Sequence, residues 1–402
     1  MTFGANLPAV RRRIVLHLGG YDPVTPAEQH RLFVRELARF ARTWGVIATA
    51  SALGGGDDCR GEWTADAAGP NWRCETHYRV LRWDDIVSRD MARGHVARLA
   101  RAALTCADFV GTGTAWRYWN RRWPYAVFFA YPFAALLLFA LIAGLSGLAM
   151  GGIPGALAAP VVFAALYFSA GRYWRIPQAL DDWNFARDYV RNQRPETVAR
   201  LKECAGKLLV AADDPSVDEV LLVGHSFGAT LALEVLAQAL TLRPDLGRAK
   251  PFRLLTVGAT IPKLGLHPRG NRIRECAAAI VAAPQIDWAE YQAADDPISF
   301  YKVNPLTMER QRDFPPGSRP MVRRVHASDM LAAETYHRFR HRWVRLHYQF
   351  LMANDVRARY DYFMFVCGPV PFSALVAAPG GPADFFAPDG SRRGDIRAEA
   401  SA

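Results

Sequence analysis

Ile14-Val15-Leu16-His17-Leu18 is a short, nearly continuous apolar run, the pattern of a strand buried on both faces. Gly19-Gly20-Tyr21-Asp22-Pro23 then breaks into a loop. Thr25, Pro26 and Glu28 supply an N-cap, a first helical position and a capping box for a helix to about Thr43. Leu32, Phe33, Leu37 and Phe40 fall on one face of it. The pattern next predicts a strand over 45–52, a Gly- and Asp-rich loop over 54–70, an alternating strand over 77–83 and a helix over 88–108. Helical spacing returns over 181–212, interrupted at Pro195. Val220 to Val223 reads as a strand and 229–240 as a helix. Strands are further predicted at 253–258, 286–292 and 321–325, a helical stretch over 331–354 and an apolar segment over 360–367. From about Ala377 the chain turns to Ala, Gly, Pro and charge and is expected to be disordered. Strands alternating with helices predict an α/β fold, with a mostly parallel sheet covered on both faces.

One stretch breaks this alternation. Trp123 to Gly171 contains no charged side chain. A bilayer span needs roughly 20 apolar residues, so the run is long enough for two spans and a turn. The spans are expected at 125–145 and 156–170, with the Gly- and Pro-rich segment 146–155 reversing the chain. Trp116, Tyr118, Trp119 and Trp123 precede the pair; Tyr167, Tyr173 and Trp174 close it, as interfacial aromatics do. Arg117, Arg121 and Arg122 stand before it and Arg172 and Arg175 after it, while the turn has no charge. The positive-inside rule puts both flanks, and hence both termini, in the cytoplasm. The rival reading is a buried helical pair or a hydrophobic lid. No secretory signal pattern is visible: Arg11, Arg12 and Arg13 lead into too short an apolar run.

Composition changes this picture little. The 402 residues are 51% hydrophobic, consistent with membrane segments in an otherwise globular chain, and carry a net charge of +11. That charge suits an anionic membrane surface. No zinc-finger, basic-zipper or RNA-recognition pattern accompanies it, so nucleic acid is not expected as a partner. The six cysteines are scattered, without a C-x-x-C pair, and read as free thiols of a reducing compartment. Cys74 and His77 have the spacing of metal ligands, but only Cys59 lies near as a third, so no metal site is expected.

The chemistry concentrates at Gly224-His225-Ser226-Phe227-Gly228, between the strand at 220–223 and the helix at 229–240. That is the strand–turn–helix setting in which G-x-S-x-G forms a nucleophile elbow, with Gly224 and Gly228 permitting the tight turn and Ser226 at its apex. No Gly-Lys-Ser/Thr follows, so this is not a phosphate loop.

With this elbow, the strand and Gly-Gly loop at 14–21, and later acidic and histidine candidates, the chain resembles the α/β-hydrolase superfamily, specifically its lipase- and esterase-like members. The resemblance covers about 10–115 and 180–370, with the apolar hairpin as an insertion. It implies a nucleophile, a base, an orienting acid and an oxyanion hole. The backbone N–H of Phe227 is one oxyanion donor by this resemblance, and the loop at Gly20 and Tyr21 holds the other. Gly19 stands where the superfamily usually has His, and His17 lies two positions earlier. The acid follows the nucleophile and precedes the base. Asp296, in Asp295-Asp296-Pro297-Ile298, matches the superfamily's Asp-x-Val loop, with Asp295 and Asp287 as rivals. His347, opening His-Tyr-Gln-Phe-Leu, matches its histidine, with His326 as the rival. His337 and His341 lie in Arg-rich sequence and read as surface residues, and His225 as a packing residue.

The expectation is therefore a membrane-anchored serine hydrolase of carboxylic esters, with lipid or acyl esters favoured and no cofactor required. Its parts are 1–115 and 176–370 for the catalytic domain, 116–175 for the hairpin and 371–402 for a disordered tail. The alternative is a membrane-anchored scaffold that keeps the fold without the chemistry. A transporter is disfavoured, because the two spans hold no intramembrane charge.

Overall fold

A computed structural model describes residues 7–54, 60–315 and 317–393. Its centre is an eight-stranded sheet: β1 (Arg12–Leu18), β2 (Ile47–Ala50), β3 (Arg60–Gly69), β4 (Trp72–Leu81), β5 (Glu219–His225), β6 (Phe252–Val257), β7 (Ile286–Ala293) and β8 (Met321–Val325). The order is β2-β3-β4-β1-β5-β6-β7-β8. From β4 to β8 all neighbours are parallel. β2 and β4 each pair with β3 antiparallel, so the sheet is mixed at one end.

The alternation of β1 shows why the sheet is covered twice. Ile14, Leu16 and Leu18 pack on one face, and Val15 on the other. Helix α1 (Pro26–Trp44) covers the second face with Phe33, Leu37, Phe40 and Trp44. Its N-terminus carries the expected box: Thr25 accepts from the Glu28 amide, and Glu28 accepts from Thr25. The first face is covered by the chain after β4: α2 (Asp84–Met91), α3 (His95–Gly111), the long α4 (Thr114–Met150), α5 (Gly152–Phe168), the short α6 (Ala170–Tyr173), α7 (Ile176–Val190), α8 (Pro195–Asp213) and, following β5, α9 (Phe227–Leu242). Burying one large apolar side chain contributes roughly 1.5–3 kcal/mol, and α9 is buried along most of its length.

Several sequence expectations need correction. The loop predicted over 54–70 contains β3, whose small residues (Gly61, Ala65, Ala67, Ala68) give little β signal, although Trp63, Ala65 and Ala67 fill one buried face. The helix predicted over 88–108 is two helices, with Gly94 at the second N-cap. The stretch 331–354 is split into Ala333–Phe339, Trp343–His347 and a 3-10 turn at Tyr348–Leu351. The first of these pieces buries no residue, so no apolar stripe holds it in one longer helix. The tail starts later than expected. Phe385 and Phe386 are buried, and Phe386 meets the rings of Trp44 and Trp72. Trp72 Nε1 donates to the Gly390 carbonyl at 2.9 Å. Residues 371–393 are thus part of the fold, and 394–402 lie outside the described residues.

The hairpin is two helices long and apolar enough to cross a membrane, Thr114–Met150 and Gly152–Tyr173. The expected ten-residue turn shrinks to Gly151 and Gly152, at φ 66° and 52°, the left-handed region that glycine enters without strain. α4 kinks at Arg122 (φ −154°, ψ 89°), just before Pro124. Below that kink and for two turns above it, the helix belongs to the core: Tyr118, Tyr125 and Phe129 surround Trp183 of α7.

Candidate active site

β5 is buried throughout and ends at His225. Ser226 then takes φ 57° and ψ −125°, a strained backbone for a residue with a side chain. Its amide donates to the Val257 carbonyl at 3.1 Å, and its carbonyl accepts from Ala229 and Thr260. A Cβ on Gly224 would lie 2.5 Å from Ala229 Cα, and one on Gly228 would lie 2.2 Å from the Leu18 carbonyl oxygen. The G-x-S-x-G spacing therefore lets α9 start hard against both β5 and the end of β1. Ser226 is half-buried at that corner.

The loop after β1 comes to the same corner. A Cβ on Gly20 would sit 3.3 Å from Ser226 Oγ. Trp83 Nε1 donates to the Gly19 carbonyl at 3.0 Å and fixes the loop. Tyr21 meets the Trp83 ring edge-on and the Phe185 ring at a tilt. Phe227, the first residue of α9, is buried against Phe185 and Tyr189.

His347 and Asp296 come together from opposite ends of the C-terminal part. Asp296 lies beyond β7 and is buried; its Oδ1 accepts from the Ile298 amide at 2.9 Å. Its Oδ2 accepts from His347 Nδ1 at 2.7 Å. A carboxylate at Nδ1 holds the proton there and leaves the lone pair on Nε2. His347 Nε2 is buried and has no hydrogen-bond partner. Ser226 and His347 line one cavity of about 130 Å³.

The rivals lie elsewhere. Asp295 accepts from the Ala327 amide, at 3.1 and 3.0 Å to its two oxygens. Asp287 pairs with Arg253 at 2.6 Å. His326 is exposed and opens on a different cavity, with Arg323 and Arg324. His337 and His341 are exposed. His225 does support the site: its Nε2 donates to the His347 carbonyl at 3.1 Å. Burial first, and the neighbouring His347 ring second, push His225 well below the ordinary histidine range, so it stays neutral. Cys74 and His77 point to opposite faces of β4, and Cys59 lies outside the described residues. Among the described residues, no cluster of His, Cys, Asp or Glu could hold a metal ion.

Sequence reasoning missed the walls of the cavity. Phe128 and Tyr131 of α4 form one side; Arg175, Gln178, Ala179 and Asp182 form another. Both sets have helical spacing (i, i+3; i, i+3, i+4, i+7), the signal that could have marked them as faces turned to one place. Asp22 and Tyr348 form a third side, with the Tyr348 hydroxyl donating to Asp22 at 2.5 Å. Burial raises Asp22 above the usual carboxylate range, against the opposing pull of Tyr348. No protein-family model, curated protein or solved structure matches this chain.

Proposed function

We propose that this chain is a serine hydrolase of the α/β-hydrolase kind, anchored by its hairpin and acting on carboxylic esters whose acyl part resides in the bilayer. The reading rests above all on one observation: an imidazole paired through Nδ1 to a buried carboxylate, its Nε2 unpaired, on the same cavity as a serine at a strained strand–helix corner. In this reading Ser226 Oγ attacks the ester carbonyl carbon and its proton passes to His347 Nε2. The Phe227 N–H and the Gly20–Tyr21 loop hold the oxyanion. The carbon–oxygen bond to the alcohol breaks, and His347 returns the proton to the departing alkoxide. Water, deprotonated by the same imidazole, then releases the acid from Ser226. Asp296 keeps the ring oriented and offsets its charge. No cofactor enters these steps.

The preference for a lipid substrate is supported by Phe128 and Tyr131, which wall the cavity from the helix that continues into the exposed apolar hairpin. An acyl chain leaving the bilayer beside α4 reaches Ser226 along those rings. Arginines at both roots of the hairpin support a cytoplasmic catalytic domain and cytoplasmic termini, against anionic headgroups. The test is labelling by a fluorophosphonate in membranes. Wild type should label and Ser226→Ala should not; folded wild type that stays unlabelled would favour the scaffold reading.

A further inference from the structure

A second cavity, with about 80 Å³ for small molecules, lies behind the wall formed by Gly20, Asp22, His225 and Tyr348, all four of which also line the Ser226 cavity. It sits between α1, β3 and β4, on the sheet face opposite α9. Its polar lining is unpaired to an unusual degree. His17 meets only a weak hydrogen bond with the Gln29 side chain, which leaves one of its ring nitrogens free, and neither Trp63 Nε1 nor His225 Nδ1 has a partner. His17, Trp63 and His225 are all more than nine-tenths buried. Each buried polar atom left unpaired costs roughly 1–3 kcal/mol. Gathering them around one space makes sense where a bound group satisfies them.

The atoms specify that group. Trp63 Nε1 only donates and Gln29 Oε1 only accepts. His225 donates through Nε2 to the His347 carbonyl, so its Nδ1 accepts. Burial pushes His17 down to about 4, against a weaker pull from Gln29, so this ring is neutral, with one donor and one acceptor. Donors and acceptors are both present, and no Lys or Arg lines the space. An anion would find no countercharge, and an ammonium would find one acid, Asp22, which burial shifts towards its neutral form, and three donors or acceptors that a cation cannot all satisfy. A hydroxyl, which donates and accepts at once, fits. The remaining lining is apolar, with the rings of Phe33, Tyr78 and Tyr362 beside Val24, Leu32 and Leu351, and Trp63 stacks on Tyr78 at 4.6 Å.

We infer that this inner cavity is a specificity pocket for an uncharged, hydroxyl-bearing part of the ester substrate, admitted past Gly20 and the Asp22–Tyr348 pair. The inference rests on the hydrolase reading above and adds the substrate's polarity to it. The hydroxyl belongs either to the alcohol or to the acyl half, and the experiment separates the two.

The full chain in nanodiscs is given two matched ester pairs: a 1-monoacylglycerol against the propyl ester of the same acid, and a 3-hydroxyacyl methyl ester against the unsubstituted acyl methyl ester. Wild type should prefer the hydroxyl-bearing member of one pair by about tenfold in kcat/KM, the scale of one or two hydrogen bonds. The preferred pair names the half that enters the cavity. Trp63→Phe, which keeps a ring but loses the donor, should bring that ratio close to one. Gln29→Leu, at a half-buried position that tolerates change better, should lower the same ratio. A ratio within each pair is insensitive to how much protein is folded. Equal rates in both pairs by an active, fluorophosphonate-labelled enzyme would overturn the pocket and leave the hydrolase standing. An unchanged preference in both variants would do the same. Neither labelling nor turnover in folded wild type would overturn both.

Discussion

At the root of α4, Tyr118, Tyr125 and Phe129 are buried among Trp183, Phe109 and Phe300. Toward its tip, Leu137, Leu141 and Leu148 are 72%, 58% and 80% exposed. The second arm of the hairpin, Gly152–Tyr173, is barer still, with 11% of its most apolar stretch buried against 33% for α4. Both ends of one helix carry large apolar side chains, and they differ in what surrounds those side chains. The root's apolar surface is already satisfied by protein, and it is the root that walls the Ser226 cavity. The tip's surface would cost roughly 25 cal/mol per Å² in water, and a lipid phase removes that cost. Hydropathy identifies such a segment; only the fold divides it into a part that walls the Ser226 cavity and a part left exposed.

The largest effect should come from breaking the proposed chemistry in the cavity that the root walls. Asp296→Asn keeps the shape of the side chain but permits the wrong imidazole tautomer at His347, and kcat should fall by about ten-thousand-fold in an ester-hydrolysis assay. A substitution in the root's aromatic nest comes next. Trp183→Ala should lower stability by about 3–5 kcal/mol, measured by denaturant unfolding in detergent micelles, whereas Leu141→Ala at the tip should stay within about 0.5 kcal/mol. Equal losses at the two positions would dissolve the distinction between root and tip.

A control away from the hairpin follows from Glu290. Burial raises it to about 7, against hydrogen bonds from Gln292 and Thr256. The folded protein therefore keeps a proton that the unfolded chain releases above the ordinary glutamate range. Its contribution is complete below a pH of about 4.5 and is lost as pH rises towards about 7. Glu290→Gln should flatten that part of the stability profile, by on the order of 3 kcal/mol across the window, read as melting temperature against pH. A parallel fall in wild type and variant would contradict it. The smallest effect should be at the wall itself. Phe128→Ala should raise KM for long-chain esters by about tenfold while changing short-chain esters less, and an equal change for both would remove the acyl path along α4.

β1 and β5 were legible because their centres are nearly uninterrupted apolar runs. Met321–Val325 was predicted residue for residue, and the elbow was marked by glycines whose Cβ atoms would collide. β3 was hidden by small side chains, although it brings Trp63 to the inner cavity that Gly19 and Gly20 also line. The ordered tail was hidden because two buried phenylalanines carry little weight in an average over Ala, Gly and Pro. His347 and Asp296 were named, but spacing alone left His326 and Asp295 open. It takes coordinates to put one pair at 2.7 Å, and to leave Asp295 on the Ala327 amide with the His326 ring exposed. The cavity walls were the least legible part, because Asp22, Phe128, Arg175 and Tyr348 meet only through the fold.

The central claim is that Ser226 Oγ takes the acyl group. Brief exposure of the protein in nanodiscs to a long-chain ester, followed by acid quench and mass spectrometry of the peptides, tests it directly. The account predicts a mass increase of one acyl group on the peptide containing Ser226, and none in Ser226→Ala. Ester turnover with the acyl group on another residue, or with none bound covalently, would contradict it.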